Sequence, residues 1–192
     1  MIVPAKPPAL AKTRLTASGV PSADAFAVAF LQDVLAAALA SDRFAAALVV
    51  TEDDGLREVV EARGGTVVLP PVRSGTSPIG IGPAVLHAAR RADEVHGAGA
   101  RAVVAADLPA LRPGDLAAAL DEANGLDRPA FVTDAAGTGT TLLTAASSAA
   151  LQPCFGHRSA LRHRALGHLA IRSPDHRLGP EASAITAVEW IE

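Results

Sequence analysis

The clearest indication of the fold is the segment Ala102-Val103-Val104-Ala105-Ala106-Asp107-Leu108-Pro109. Its small and β-branched residues up to Ala105 are typical of a buried parallel strand, which has a core on both faces. A carboxylate, Asp107, follows the strand, and the chain then turns into a helix that we expect to begin near Pro113. This order of strand, polar loop and helix is typical of an α/β sheet that binds ligands beyond the carboxyl ends of its strands.

The same alternation of short β-branched runs and longer Ala/Leu-rich segments extends along the chain. Strands are predicted at 2–3, 47–51, 66–69, 102–105 and 129–133. Helices are predicted at 22–40, 54–63, 83–96 and 113–123, where apolar residues recur every three to four positions. Ser22 and Asp53 are candidate N-caps. We therefore expect one domain over residues 1–192, with a three-layer α/β fold and a mostly parallel sheet.

Composition narrows the class of protein. The chain has 192 residues, and a formal net charge of −3 gives it no overall attraction to nucleic acid. A single cysteine, Cys154, excludes an internal disulfide and a cysteine-rich metal cluster. The Ala-rich run 34–40 is too short to span a bilayer, and the start does not resemble a signal peptide. We expect a cytoplasmic protein with no membrane or nucleic-acid partner, whereas the oligomeric state stays open.

Cationic residues concentrate near both ends of the chain. Lys6, Lys12 and Arg14 lie in a small-residue loop after the first short strand, and three cations there suit a triphosphate. The loop is neither a Walker A sequence nor a dinucleotide-binding G-x-G-x-x-G sequence. The second concentration, an Arg- and His-rich segment at 157–177, either covers a solvated face or surrounds a second anion. It lacks the interleaved aromatic residues of a nucleic-acid-binding segment.

Two glycine motifs and one carboxylate are candidate ligand-binding features. Gly137-Thr138-Gly139-Thr140 and Phe155-Gly156-His157-Arg158-Ser159 both combine glycines with hydroxyls, as an anion cradle for a small phosphorylated acid would. An ordinary hairpin turn is the alternative for the first motif. Asp107 is a candidate Mg²⁺ ligand, because Mg²⁺ takes one or two protein carboxylates and otherwise binds water and phosphate. A helix-capping role is the alternative for this residue.

Taken in order, these motifs resemble the guanylyltransferases of deazaflavin coenzyme F-420 biosynthesis, which activate 2-phospho-L-lactate or phosphoenolpyruvate with GTP. The resemblance covers nearly the whole chain and implies a nucleotidyltransferase fold of the glycosyltransferase-A type. It implies that Thr140, Gly156 and Ser159 bind the acid. Its landmarks are Val3-Pro4-Ala5-Lys6, Ala11-Lys12-Thr13-Arg14-Leu15, Asp107-Leu108-Pro109, the run Gly137 to Leu143, and Phe155-Gly156-x-x-Ser159 with His163 and Gly167.

The resemblance also implies roles on the nucleotide side. Lys6, Lys12 and Arg14 would hold the GTP triphosphate during catalysis, and Asp107 would hold Mg²⁺. Gly80 and Gly82 fall in Ile79-Gly80-Ile81-Gly82-Pro83, where the family has a Gly-Leu-Asn-like element beside the base and ribose. Glycine therefore stands here in place of the family's asparagine.

A second departure lies near the end of the chain. The family's second metal-binding aspartate belongs to an Asp-Thr-Pro element, and the corresponding segment here is Arg172-Ser173-Pro174-Asp175. An arginine replaces the expected carboxylate. Either Arg172 itself neutralises phosphate charge, or Asp175, three residues later, is the second metal ligand.

The expected activity is transfer of GMP from GTP to phosphoenolpyruvate or 2-phospho-L-lactate, with release of pyrophosphate. Two alternatives stay open. One is a binding protein that keeps the acid cradle and has lost metal catalysis. The other is a nucleotidyltransferase of the same fold with another acceptor, such as a sugar phosphate or molybdopterin. The sequence does not distinguish phosphoenolpyruvate from 2-phospholactate.

Overall fold

The computed structural model describes residues 1–8, 23–71 and 80–171. The strands in these ranges are β1 (Ile2–Pro4), β2 (Leu48–Val50), β3 (Thr66–Val68), β4 (Arg101–Val104), β5 (Ala130–Thr133), β6 (Thr140–Ala145) and β7 (Leu169–Ala170). The helices are α1 (Ala23–Ala40), α2 (Asp54–Ala62), α3 (Ile81–His96), α4 (Pro113–Asn124) and α5 (Ser159–Ala165). Each predicted strand and helix is present, and its ends differ from the prediction by no more than two residues.

The strands form one sheet in the order β3-β2-β1-β4-β6-β5-β7. The pairs β1–β2, β1–β4, β2–β3 and β5–β7 are parallel, whereas β6 runs antiparallel to both of its neighbours. The prediction of a mostly parallel sheet is confirmed. Because β6 runs in the opposite direction, its first residue lies at the same edge as the carboxyl ends of β1, β4 and β5.

Helices cover both faces of the sheet, as the predicted three layers require. Successive strand residues point to opposite faces. Val3 and Leu142 belong to the core under α1, α2 and α4, whereas their neighbours Ile2 and Leu143 belong to the core under α3 and α5. This alternation explains why the strand sequences are apolar throughout.

Local sequence signals account for the helix starts. The Asp53 carboxylate accepts a hydrogen bond of 2.8 Å from the Leu56 N–H, so the predicted N-cap of α2 is confirmed. Pro113 is the first residue of α4, where its missing N–H leaves no unsatisfied donor. Ser22, the other predicted cap, lies outside the described residues. In the described ranges, no helix combines the length and the apolar character needed to cross a membrane.

The run Gly137 to Thr140 lies in the hairpin that joins β5 to β6. In its turn, the Gly137 N–H donates to the Asp134 carbonyl at 3.0 Å, and the Thr138 N–H donates to Asp134 Oδ1 at 2.8 Å. These two N–H groups are therefore already paired, and a carboxylate lies where an anion would have to bind. The hairpin alternative is therefore confirmed, and the Gly137 and Thr138 N–H groups belong to the turn. Anion binding by Thr140 stays a prediction. The run nevertheless delivers Thr140 to the start of β6.

Candidate functional site

Three predicted site residues lie at neighbouring strand ends on the carboxyl edge of the sheet. Lys6 follows β1, Asp107 follows β4, and Thr140 begins β6. Strand β4 pairs with both β1 and β6, so the three residues lie at adjacent strand ends. Beyond β4, the Ala105 N–H donates to the Thr141 carbonyl at 2.9 Å, which carries the pairing towards the loop of Asp107.

Lys6 lies on a short loop that is attached to the sheet. The preceding Ala5 N–H donates to the Val50 carbonyl at 3.0 Å, so the loop leaves β1 beside the end of β2. The Lys6 side chain is half-buried, and this burial lowers the pKa of its ammonium group. A partly desolvated cation is stabilised by a nearby anion, which suits the predicted binding of phosphate.

Asp107 is held at the edge by its apolar neighbours. Leu108 is fully buried, Leu111 is buried close to it, and the Leu111 N–H donates to the Leu108 carbonyl at 3.1 Å. This tight turn leaves Asp107 half-buried beyond the end of β4. Among the described residues, no three His, Cys, Asp or Glu side chains come together as a metal cage. A single carboxylate still fits Mg²⁺, which keeps most of its water and phosphate ligands.

The hydroxyls of Thr140 and Ser159 lie together at the start of β6. Ser159 Oγ lies 3.1 Å from Thr140 Oγ1, and Thr140 Oγ1 lies 2.9 Å from Nδ1 of His163. The other ring nitrogen of His163, Nε2, accepts a hydrogen bond of 3.0 Å from the Cys154 N–H. Ser159 and His163 are buried, whereas Thr140 is partly exposed. The structure thus brings two of the three predicted acid-binding residues into direct contact, and a histidine contacts one of them.

The third predicted acid-binding residue, Gly156, lies in the loop before α5. Its φ of +103° favours glycine, and an added Cβ would lie 3.1 Å from the Arg162 guanidinium. The Gly156 carbonyl accepts the Ser159 N–H at 3.1 Å, and Arg162 donates to the Phe155 carbonyl at 2.8 Å. The loop is therefore fixed against the helix that carries Ser159.

His163 is surrounded by rings and cations. Phe155 meets its ring edge-on at a centroid distance of 5.6 Å, and His168 stacks on it at 5.3 Å. Burial, followed by the charges of His168 and Arg162, lowers the pKa of His163 to about 4. The ring is therefore neutral near pH 7. This residue belongs to the Arg- and His-rich segment, yet it lies in the core and not on a solvated face.

The two predicted nucleotide-binding glycines begin α3. Gly80 is the N-cap residue, and Gly82 lies so close to the chain before Gly156 that an added Cβ would be 3.1 Å from the Pro153 carbonyl oxygen. An asparagine at position 82 would crowd this carbonyl. The glycine that replaces the family's asparagine therefore matches a close approach between α3 and the loop before α5.

Several predicted residues cannot be placed. Lys12, Arg14, Arg172 and Asp175 lie outside the described residues, so their roles stay predictions. Sequence reasoning missed the contacts of His163, which it noted only as a landmark. The spacing contains a signal: His163 follows Ser159 by four residues, which places both side chains on one face of a helix.

The fold is that of nucleotidyltransferases. A nucleotidyl transferase from Methanothermobacter thermautotrophicus superposes with a TM-score of 0.59 at 15% identity, over 92% of this chain and 88% of that one. A protein from Desulfovibrio desulfuricans described as a nucleotide-diphospho-sugar transferase gives a TM-score of 0.64 at 17% identity, over 88% and 78% of the two chains. At such identities the likeness concerns the fold alone.

Sequence relatives then define the family. Phosphoenolpyruvate guanylyltransferases from Streptomyces scabiei and Geodermatophilus obscurus are 43% and 45% identical to this chain, over 87% and 89% of it and 77% of each relative. That of Streptomyces coelicolor is 42% identical, over 90% of this chain and 79% of the relative. The chain belongs to the phosphoenolpyruvate guanylyltransferase family, which confirms the resemblance seen in its motifs. No protein-family model matches the chain.

Proposed function

We propose that this protein transfers GMP from GTP to a small phosphorylated acid and releases pyrophosphate. Phosphoenolpyruvate is the first candidate acceptor, because the relatives carry it in their names. The observation that carries the proposal is the pair of touching hydroxyls, Thr140 and Ser159, at the same sheet edge as Lys6 and Asp107. We call Thr140, Gly156, Ser159 and His163 the acid side, and Lys6 and Asp107 the nucleotide side.

The acid side offers uncharged donors to an anion. Hydroxyl groups and a glycine N–H suit a carboxylate or phosphate. Ser159 is buried and Thr140 is partly exposed. The acid would bind here, with its phosphate directed along the edge towards the nucleotide side.

The nucleotide side supplies charge. Lys6, with the predicted contributions of Lys12 and Arg14, would bind the triphosphate of GTP. The half-buried Lys6 ammonium would be stabilised by a nearby anion, because burial has already removed part of its hydration. Gly80 and Gly82 at the start of α3 would lie towards the base and ribose, where a side chain at position 82 would crowd the Pro153 carbonyl.

Asp107 is the described residue that would hold Mg²⁺, and Asp175 is the predicted second ligand. A bound Mg²⁺ would neutralise phosphate charge and orient the triphosphate oxygens. The chemistry of the donors fits this ion, since Asp107 offers carboxylate oxygens at a strand end that opens to the ligand edge.

The reaction follows from positioning and charge. An oxygen of the acid's phosphate forms a bond to the α-phosphorus of GTP, and the bond from that phosphorus to the oxygen bridging to the β-phosphate breaks. Pyrophosphate leaves with this oxygen, and a guanosine diphosphate-linked acid remains. The attacking phosphate is already anionic near neutral pH, so no protein base is required. The protein overcomes the repulsion between two anions by holding them in line.

The proposal extends to the setting of the reaction. We propose that the product belongs to coenzyme F-420 biosynthesis, as the family resemblance implies, and that the reaction takes place in the cytoplasm. 2-Phospholactate differs from phosphoenolpyruvate by two hydrogens, one on each carbon of the double bond that phosphoenolpyruvate has and 2-phospholactate lacks. It is therefore the second acceptor to test.

Mass spectrometry of the product tests the proposal. Purified protein is incubated with GTP and Mg²⁺, and phosphoenolpyruvate and 2-phospholactate are supplied in separate reactions, with the downstream transferase added to trap a labile product. We expect a guanylylated acid and one equivalent of pyrophosphate with one of the two acids. Binding of the acid without any product would instead support a protein that has lost catalysis. Product with a sugar phosphate alone would redirect the proposal to another acceptor.

A further inference from the structure

His163 connects the two segments that form the acid side. Its Nδ1 lies 2.9 Å from Thr140 Oγ1 on β6, and its Nε2 accepts the N–H of Cys154, two residues before Gly156. The ring is fully buried, so solvent does not compete for either contact. These contacts place His163 behind the hydroxyl pair, where it touches the predicted binding groups without facing the ligand.

The Cys154 N–H determines where the proton of the ring resides. A backbone N–H can only donate, so Nε2 must present its lone pair. A neutral imidazole then carries its proton on Nδ1 and donates it to Thr140 Oγ1. The opposite tautomer would place two N–H groups against each other across the 3.0 Å contact to Cys154.

The tautomer decides how many donors the acid side can offer. With the proton on Nδ1, the ring N–H and the hydroxyls of Thr140 and Ser159 supply three protons. Two hydrogen bonds join these three groups, so one hydroxyl proton is left over. With the proton on Nε2, Thr140 would donate to the ring and Ser159 to Thr140, and no hydroxyl proton would be left. Among the described residues, no protein group accepts the remaining hydroxyl proton.

We propose that His163 is a positioning residue, which holds its proton on Nδ1 so that the Thr140–Ser159 pair keeps one hydroxyl proton for an anionic oxygen of the acid. This inference rests on the proposed function, because it assumes that the acid binds at the hydroxyl pair. Thr140 is the partly exposed member of the pair, so we assign the remaining hydroxyl proton to it. His163 thereby acts on affinity for the acid and leaves GTP binding unchanged.

Three substitutions separate the two functions of the ring. H163N keeps an amide near the position of Nδ1 and can still donate to Thr140. H163Q reaches the position of Nε2 and can accept from Cys154, but it gives Thr140 no donor. H163F removes both hydrogen bonds and keeps the packing against Phe131 and Phe155.

The kinetic test compares KM for the two substrates. We expect H163Q and H163F to raise KM for phosphoenolpyruvate about tenfold, the effect of one lost hydrogen bond at about 1.4 kcal/mol. H163N should stay within about threefold of wild type, and all three should keep KM for GTP within about twofold. Equal effects of H163N and H163Q, or equal rises in both KM values, would overturn the proposal. If H163F does not fold, the comparison of H163N with H163Q decides.

A second readout does not depend on activity. Two-bond ¹H–¹⁵N correlation spectra of protein labelled at histidine report the tautomer, and the His163 signals are identified by their loss in H163N. We expect the neutral form with the proton on Nδ1, whereas a proton on Nε2 would overturn the inference. A wild-type protein that shows the expected tautomer and binds phosphoenolpyruvate without making product would contradict the proposed function alone.

Discussion

The acid side and the nucleotide side share one edge of the sheet but are built differently. On the acid side, side chains from β6 and α5 and the loop before α5 hold one another through three short contacts centred on His163 and Thr140. On the nucleotide side, Lys6 and Asp107 are half-buried residues on loops that leave parallel strands. The first side depends on directed hydrogen bonds, and the second depends on charge. Changes on the two sides should therefore affect different kinetic parameters.

The largest effect should come from the carboxylate on the nucleotide side. D107N removes the charge and keeps the shape, and we expect kcat to fall about 100-fold or more because metal binding is lost. The free energy of unfolding should change little, since Leu108 and Leu111 anchor the turn. Steady-state kinetics and urea unfolding measure both. D121N is the matched control, because its carboxylate pairs with Arg43 on the outer side of α4. Unchanged turnover in D107N would remove Asp107 from the metal site.

The second-largest effect should be on KM for GTP and not on KM for phosphoenolpyruvate. K6M removes a half-buried cation, and we expect KM for GTP to rise about 30-fold, the effect of losing a hydrogen bond to a charged group. KM for phosphoenolpyruvate should stay within about twofold of wild type. R63M, which removes an exposed cation at the end of α2, serves as the control. An equal rise of both KM values would mean that the sides are not separate.

The corresponding experiment on the acid side changes Ser159. S159A removes one hydroxyl of the touching pair, and we expect KM for phosphoenolpyruvate to rise about tenfold with KM for GTP unchanged. Ser41 offers a control, since its hydroxyl only donates to the Ala38 carbonyl at the end of α1. If S159A raised KM for GTP instead, the acid would have to bind elsewhere.

The smallest effect concerns stability and pH. The pKa of His163 in the folded protein is about 4, below its ordinary value of 6.5, so the unfolded chain binds more protons between these values. The contribution of His163 to the free energy of unfolding should therefore be fully present above pH 6.5. It should fall as the pH drops towards 4, by at most about 1.4 kcal/mol per pH unit. Urea unfolding from pH 4.5 to 7.5 measures this slope.

The control for the pH experiment is H163F, which should have a shallower slope. Some slope should remain, because burial also lowers the pKa of His168. Among the described residues, the charge of Arg162 also acts on the ring, and Arg164 lies over Phe131, which packs against it. An identical slope in wild type and H163F would show that His163 does not carry the linkage.

The sequence predicted most of the fold because most of it is local. The β-branched runs, the Asp53 cap and Pro113 act within a few residues, and the structure confirms them. Strand β6 was not predicted from the sequence, because Gly137 to Thr140 has the residues of both an anion cradle and a turn. Asp134, three residues before Gly137, decides between them by accepting the turn N–H groups. Strand β7 has two residues, too few to give a pattern.

Of the candidate site, the sequence predicted the residue types and the structure supplied their contacts. Thr140 and Ser159 were predicted separately, and their contact depends on the antiparallel direction of β6. The link through His163 to the Cys154 N–H joins a side chain to a backbone group nine residues away. No sequence pattern encodes such a pairing, because any residue has a backbone N–H.

A crystal structure of the protein with phosphoenolpyruvate would show where the acid binds. We expect an anionic oxygen of the acid about 3 Å from Thr140 Oγ1, the distance of a hydrogen bond, with Gly156 and Ser159 lining the same site. The phosphate should point along the sheet edge towards Lys6 and Asp107. Phosphoenolpyruvate bound beside Lys6, with Thr140 and Ser159 making no contact to it, would show that the hydroxyl pair is not the acid-binding site.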